Sequence, residues 1–242
     1  MVHIGDAITK AASRIEGNVV RYEFNESSTY FVPLDYLVSS ATSKEKLMSI
    51  QAVTVVADSW AKKSVVRNVA LVLGLTGFTA LCAQISIPLP FTPVPLTLQT
   101  FAILAGAVAL GEARAVVAQI TYLALALIGL PVLAPTPDGS HITGAAVLGM
   151  PTLGYVIGFI FASWAVGKIS ERGASRHIAS TALAFIIGTA IIYLAGATWL
   201  AHTFSMSPSL AFEKGVQPFL VGDVIKALVA GLAVPSLWKL VK

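Results

Sequence analysis

A chain of 242 residues with 56% hydrophobic and only 12% charged residues carries about half the charge of an average soluble domain, which excludes a water-soluble globule and points to an integral membrane protein. Its formal net charge of +4 is spread between apolar runs, so the basic balance describes loops that meet a bilayer and gives no argument for a nucleic-acid partner. The single cysteine, Cys82, falls inside an apolar run and excludes an intrachain disulfide framework or a cysteine-based metal site.

Residues 1–66 read as a separate, mainly water-facing extension. They hold seven basic residues (Lys10, Arg14, Arg21, Lys44, Lys46, Lys62, Lys63) and seven acidic ones (Asp6, Glu16, Glu23, Glu26, Asp35, Glu45, Asp58) among scattered apolar side chains. Val19 to Phe24 and Tyr30 to Val32 have the β-branched and aromatic character of short strands. From Ser43 to Lys63, Leu47, Ile50, Val53, Val56, Ala57 and Trp60 recur at helical spacing between charged positions, which predicts an amphipathic helix. It lies on a membrane, docks on a partner or forms an ordinary surface helix. No basic start followed by an unbroken apolar run and a small-residue cleavage site is visible near Met1, so insertion is assigned to the membrane domain itself.

That domain, residues 67–242, is expected to be an all-α bundle of six transmembrane helices, because about twenty apolar residues at 1.5 Å per residue cross a hydrocarbon core about 30 Å thick. The spans run from Val69 to Ile87, Leu96 to Leu110, Ala113 to Leu130, Leu153 to Ile169, Ile178 to Leu200 and Val216 to Leu237. Lys62, Lys63, Arg67, Arg114, Lys168, Arg172, Arg176, Lys239 and Lys242 all fall on one side of this arrangement, and only Lys214 lies on the other. The positive-inside rule makes the first side cytoplasmic, with both termini inside. The stretch 84–100, the 131–152 loop and the 201–215 loop then share the outer face.

Between the first two spans, Pro88, Pro90, Pro93 and Pro95 each lack an N–H and fix φ, so no regular helix passes through residues 88 to 95. Irregular backbone between spans survives only where protein, water or a cavity satisfies its polar groups. Thr97, Gln99 and Thr100 follow at once and carry uncharged hydrogen-bonding groups into the next span; a rigid apolar cap beside such groups suits a small ligand with an apolar body and a polar head. The Gly/Pro-rich loop from Pro131 to Thr152 reads as a lid over the same place or as a linker, and Gln119 and Tyr122, three apart, are candidates to line the cavity from the third span.

Asp223 and Lys226 are the charged residues after Val69 that no loop or span end accommodates. A charge within the bilayer costs about 2.5–3.5 kcal/mol on insertion scales, so such groups usually face the bundle interior and mark a site. Three residues apart, they share one helix face: they neutralise each other, or Asp223 accepts from ligand N–H groups while Lys226 donates to a carbonyl or carboxylate. Tyr193 and Trp164 read as packing or interface aromatics, and His141 and His202 as solvated loop residues. In the first span, Ala70 with Gly74, Thr76 with Ala80, and Thr79 with Ala83 form small-residue faces that permit close helix approach.

Taken together, residues 84–100, Gly129-Leu130-Pro131-Val132, Gly154-Tyr155 with Gly158-Phe159, and Phe219 to Lys226 resemble the BioY family, the biotin-specific substrate-binding S-components of energy-coupling factor (ECF) transporters. The resemblance spans Arg67 to Lys242. It implies capture of biotin as transported substrate from the outer face of the cell membrane, with no resident cofactor, metal or catalytic residue. Asp223 is then suited to the ureido N–H groups; Lys226, Thr97 and Gln99 to the carbonyl or the tail; and Tyr122 and Tyr155 to ring contacts. It further implies a membrane coupling subunit and two cytoplasmic ATPases as partners, docked through the first-span face of Ala70, Gly74, Thr76 and Ala80. The chain itself has no P-loop, since Gly167-Lys168 is followed by Ile169, and no His-Glu-x-x-His or Gly-x-Ser-x-Gly pattern. Other readings of the same residues are a solitary facilitator or carrier with Asp223 as proton site, an S-component for another vitamin, and a membrane enzyme acting on lipid or acyl substrates.

Overall fold

The computed structural model describes residues 13–16, 18–25, 28–33, 55–59, 64–173 and 178–229, which divide between two compact units, Met1–Val53 and Thr54–Lys242. In the first unit the strands β1 (Ser13–Glu16), β2 (Val19–Asn25) and β3 (Ser28–Pro33) form an antiparallel meander in chain order. Arg21 lies opposite Arg14 on one side and Phe31 on the other. β2 and β3 cover the two segments whose β-branched and aromatic residues predict strands. Of the helix expected over residues 43–63, α1 (Val56–Ser59) is described, and most of the remainder lies outside the described residues.

The second unit is helical. Among the described residues three helices are long and apolar enough to cross a membrane: α2 (Val65–Gln84), α5 (Leu153–Glu171) and α6 (Ile178–Phe204). Between them come α3 (Gln99–Leu110) and α4 (Glu112–Leu127), and after them α7 (Pro208–Gly215). A 3₁₀ turn, Gln217–Phe219, leads into α8, residues 220–229. The second predicted span begins later than hydropathy suggests. Leu96 and Thr97 are extended, and the helix starts at Gln99. The rest of the sixth predicted span lies outside the described residues.

Large apolar side chains face outward from these helices. On α2 the buried residues are Leu75, Thr76, Thr79, Cys82 and Ala83, while Leu73 and Leu81 are exposed; α6 buries Phe185, Ile192 and Leu200 and exposes Leu183, Ile186 and Leu194. Large apolar side chains on the outer face as well as in the core suit helices whose solvent is lipid, and the small or hydroxylated residues inside α2 let a neighbour come close. The α5·α6 pairing is the most extensive among the described residues. At its centre a methyl group on Gly196 would run into the Tyr155 ring, so glycine there lets the tyrosine lie flat against the α6 backbone. Thr76 binds α2 to α4, its one O–H shared between the carbonyls of Val72 (2.9 Å) and Ala118 (3.0 Å).

At the end of the unit where α3 meets α4, Arg114 is held on three sides. It pairs with Asp58 at 2.9 Å and donates to Asn68 Oδ1 (3.1 Å) and the Leu110 carbonyl (3.2 Å). Val55 and Ala57 are buried beside it, so this part of the predicted extension packs within the helical unit.

Candidate functional site

At the opposite end of the helices, the proline-rich stretch forms a short antiparallel hairpin, β4 (Ser86–Ile87) with β5 (Leu96–Thr97). The prolines occupy the connecting loop and its flanks, where no ladder N–H is needed. Sequence reasoning excluded a helix here but missed the hairpin, because two-residue strands show no alternation to read. Beneath the hairpin lies a cavity of about 330 Å³, at the small end of the range for ligand pockets.

Its walls are mainly apolar. The hairpin contributes Leu89, Val94 and Leu96, and α5 contributes Val156 and Phe159. The 128–152 connection supplies Leu133, the segment Ala134 to Pro137, and Met150. This connection contains a 3₁₀ helix, Gly144–Gly149, so the predicted lid has regular structure of its own. His141, expected to be solvated, is partly buried with Nδ1 3.0 Å from the Leu133 carbonyl. That spacing requires the proton on Nδ1, since a carbonyl only accepts. At the tip of the connection, Asp138 accepts from the Thr136 hydroxyl, the Ser140 hydroxyl (2.9 Å) and the Ser140 N–H (3.3 Å). These donors, Thr136 foremost, hold its carboxyl below the usual 3.8.

The roof is tied down by two hydroxyls. Thr92 Oγ1 donates to the Lys214 carbonyl (2.6 Å) and Tyr155 OH to the Gly215 carbonyl (2.7 Å). Both carbonyls belong to the last turn of α7, where a helix leaves its C=O groups without partners.

The polar groups gather on one side, where α8 meets the start of α3. Asp223 and Lys226 sit three residues apart on α8, with Nζ 2.7 Å from Oδ1 and both side chains largely buried. Lys226 also donates to the Thr97 carbonyl (2.8 Å) and the Thr100 hydroxyl (2.9 Å). Thr100 in turn donates to Asp223 Oδ1 at 3.2 Å, and Tyr193 OH on α6 donates to Oδ2 at 2.5 Å. The buried pair therefore carries the neighbouring hydrogen bonds without which two charges in a low-dielectric interior are unfavourable.

Gln99 occupies the adjoining wall. Its Oε1 accepts from Thr97 Oγ1 (3.2 Å) and its Nε2 donates to Tyr122 OH (2.8 Å), which donates onward to the Val132 carbonyl (3.0 Å).

Of the sequence-predicted binding residues, Thr97, Gln99, Tyr155, Asp223 and Lys226 all line the cavity. Tyr122 is completely buried behind Gln99 and orients its carboxamide instead of forming wall. Gln119 is equally buried and turns toward Thr79, with Nε2 3.4 Å from Oγ1. Tyr193, read from the sequence as packing, lines the cavity and holds Asp223. No local signal marks it, since a tyrosine in an apolar run looks the same whether or not a carboxylate thirty residues on in the chain meets it. The first-span small residues divide. Ala70 and Gly74 face outward, Ala80 is half-buried and Thr76 points into the bundle.

A membrane protein with a mostly apolar cavity closed by a hairpin and floored by a hydrogen-bonded ion pair belongs to the class of small-molecule binding and transport proteins. The family model for BioY matches residues 48–242, and the chain belongs to the BioY family. It is similar to the biotin transporter BioY of Thermotoga maritima, 38% identical over 168 residues that cover 67% of this chain and 92% of the relative. To the biotin transporter BioY of Rhizobium etli it is 37% identical over 153 residues, 60% of this chain and 79% of that one. Among solved structures it is similar to the S-component for biotin from an ECF-type ABC transporter, with a TM-score of 0.65 and 27% identity over 74% of this chain and 95% of the other.

Proposed function

We propose that this protein takes up biotin as the membrane-embedded, substrate-binding S-component of an ECF-type transporter. The observation that carries the reading is the cavity under the proline hairpin. Its apolar walls fit the fused rings and aliphatic tail of biotin, and its one charged corner offers Asp223 as acceptor for ureido N–H groups. Thr97 and Gln99 stand beside it for the carbonyl or the tail, Lys226 reaches them by exchanging one of its three protein acceptors for the ligand, and Tyr155 contributes ring contact. Tyr122 acts through Gln99.

In the same reading the helical unit crosses the cell membrane six times, with both termini and residues 1–66 cytoplasmic. The cavity end, which bears Lys214 alone among the predicted span-flanking cations, faces out. A membrane coupling subunit and two cytoplasmic ATPases supply the energy, and the outward part of the first-span face, Ala70 and Gly74, receives the coupling subunit. No resident cofactor is part of this reading.

The test is equilibrium binding of biotin to the purified protein in nanodiscs. Asp223→Asn and Lys226→Ala should each weaken binding by more than about 2 kcal/mol, because each leaves a buried charge without its partner. A folded wild-type chain that ignores biotin would end the reading.

A further inference from the structure

The hydrogen-bonding valence around Asp223 can be counted atom by atom, and the count assigns a role to a residue outside the ion pair. An ammonium has three N–H donors, and Lys226 meets three acceptors inside the protein: the Thr97 carbonyl, the Thr100 hydroxyl and Asp223 Oδ1. A carboxylate has about four lone-pair directions. On Oδ1 both are taken, by Lys226 and by the Thr100 hydroxyl. On Oδ2 one is taken, by Tyr193. Among the described residues a single acceptor direction remains, on an oxygen whose residue is 93% buried and lines the cavity.

Three donors converging on the carboxylate also fix what kind of partner it accepts. Tyr193, Lys226 and Thr100 all point donors at Asp223, so the carboxylate meets a ligand as an acceptor. We infer that Tyr193 is a positioning and specificity-determining residue: by occupying one side of Oδ2 it leaves one acceptor direction into the cavity, which admits one ligand N–H donor and rejects a ligand presenting an acceptor or a methyl group there.

The inference rests on the biotin reading and sharpens it. A site built to pair with a donor discriminates strongly against an analogue that lacks it, because the buried acceptor is then left without a partner. Removing the Tyr193 hydroxyl opens a second direction on Oδ2, to be filled by water or by a rotated carboxylate. The site should then become more tolerant as well as weaker.

The experiment compares biotin with its N-methylated ureido derivatives, each ureido nitrogen in turn, on the full-length chain in nanodiscs. Three proteins are measured: wild type, Tyr193→Phe, and Tyr155→Phe as a control that removes a hydroxyl from the same cavity without touching Asp223. Wild type should bind biotin at least about a hundredfold more tightly than one of the two derivatives, the energy range of an unpaired buried polar group. Tyr193→Phe should shrink that ratio to about tenfold or less while weakening biotin itself by about tenfold, and Tyr155→Phe should leave the ratio where it was. If Tyr193→Phe weakens biotin and both derivatives by the same factor, the hydroxyl is structural only and the inference falls, with the biotin reading intact. If wild type binds biotin but does not discriminate, the inference falls as well. Failure of folded wild type to bind biotin removes both.

Discussion

Gln99 gives the clearest case of a side chain whose function is set by the residue behind it. One of its two amide N–H groups donates to the Tyr122 hydroxyl and its oxygen accepts from Thr97, so the carboxamide is held in one orientation with its second N–H still to be used. Tyr122→Phe removes no cavity atom but strands a buried N–H. Biotin affinity should fall by about 1–3 kcal/mol, and Gln99→Ala combined with Tyr122→Phe should cost no more than Gln99→Ala alone, as a double-mutant cycle of binding constants will report. Asp223 and Lys226 were legible in the sequence as cavity candidates because charges at membrane depth are costly enough to demand a reason, and Thr97 and Gln99 because they follow the four prolines at the start of a span. Tyr122 and Tyr193 carry no such cost when read alone. Their roles exist only in the pairings Gln99–Tyr122 and Asp223–Tyr193, which the fold creates.

Among elements, the helices were the readable part, since apolar runs of sufficient length have few alternatives in a bilayer. The hairpin, the 3₁₀ helix Gly144–Gly149 and α7 were not, because each is short and held by contacts with distant chain. The 128–152 connection shows what holds such an element. Its tip is organised by Asp138, whose depressed carboxyl pKa has a definite consequence. A group whose pKa is lower in the folded than in the unfolded state adds stability above its unfolded value, and that stability disappears as pH falls through the folded value. The turn from Thr136 to Ser140 should therefore be ordered at neutral pH and loosen below about pH 4, near the ordinary carboxylate value. Hydrogen exchange of the Ser140 amide should accelerate over that interval in wild type. In Asp138→Ala the amide should be fast throughout and show no such step.

For the molecule as a whole, the proposed function puts binding and energy coupling on different surfaces. The cavity residues fall between Pro88 and Lys226, whereas Gly74 looks outward from α2 with nothing within 4 Å of an added Cβ. Gly74→Leu should leave biotin affinity within about twofold of wild type, since the cavity is untouched, yet obstruct a coupling subunit that needs close backbone approach. Loss of ATP-driven uptake in vesicles with retained binding is the expected result; loss of both would place Gly74 in the fold of the cavity. The small-residue spacing in the sequence offered four docking candidates as one set. At 100° per residue Thr76 lies 240° around the helix from Ala70, which is why the structure splits them between the outward face and the α4 contact.

The Lys214 carbonyl at the end of α7 has a meaning for time as well as for shape. Cargo that leaves by lifting the hairpin parts it from Thr92. At about 1 kcal/mol net for such a bond, its loss should shorten the residence of bound biotin by about fivefold. The bond joins two parts of the protein, so how long the protein keeps its catch is adjustable separately from how it recognises it.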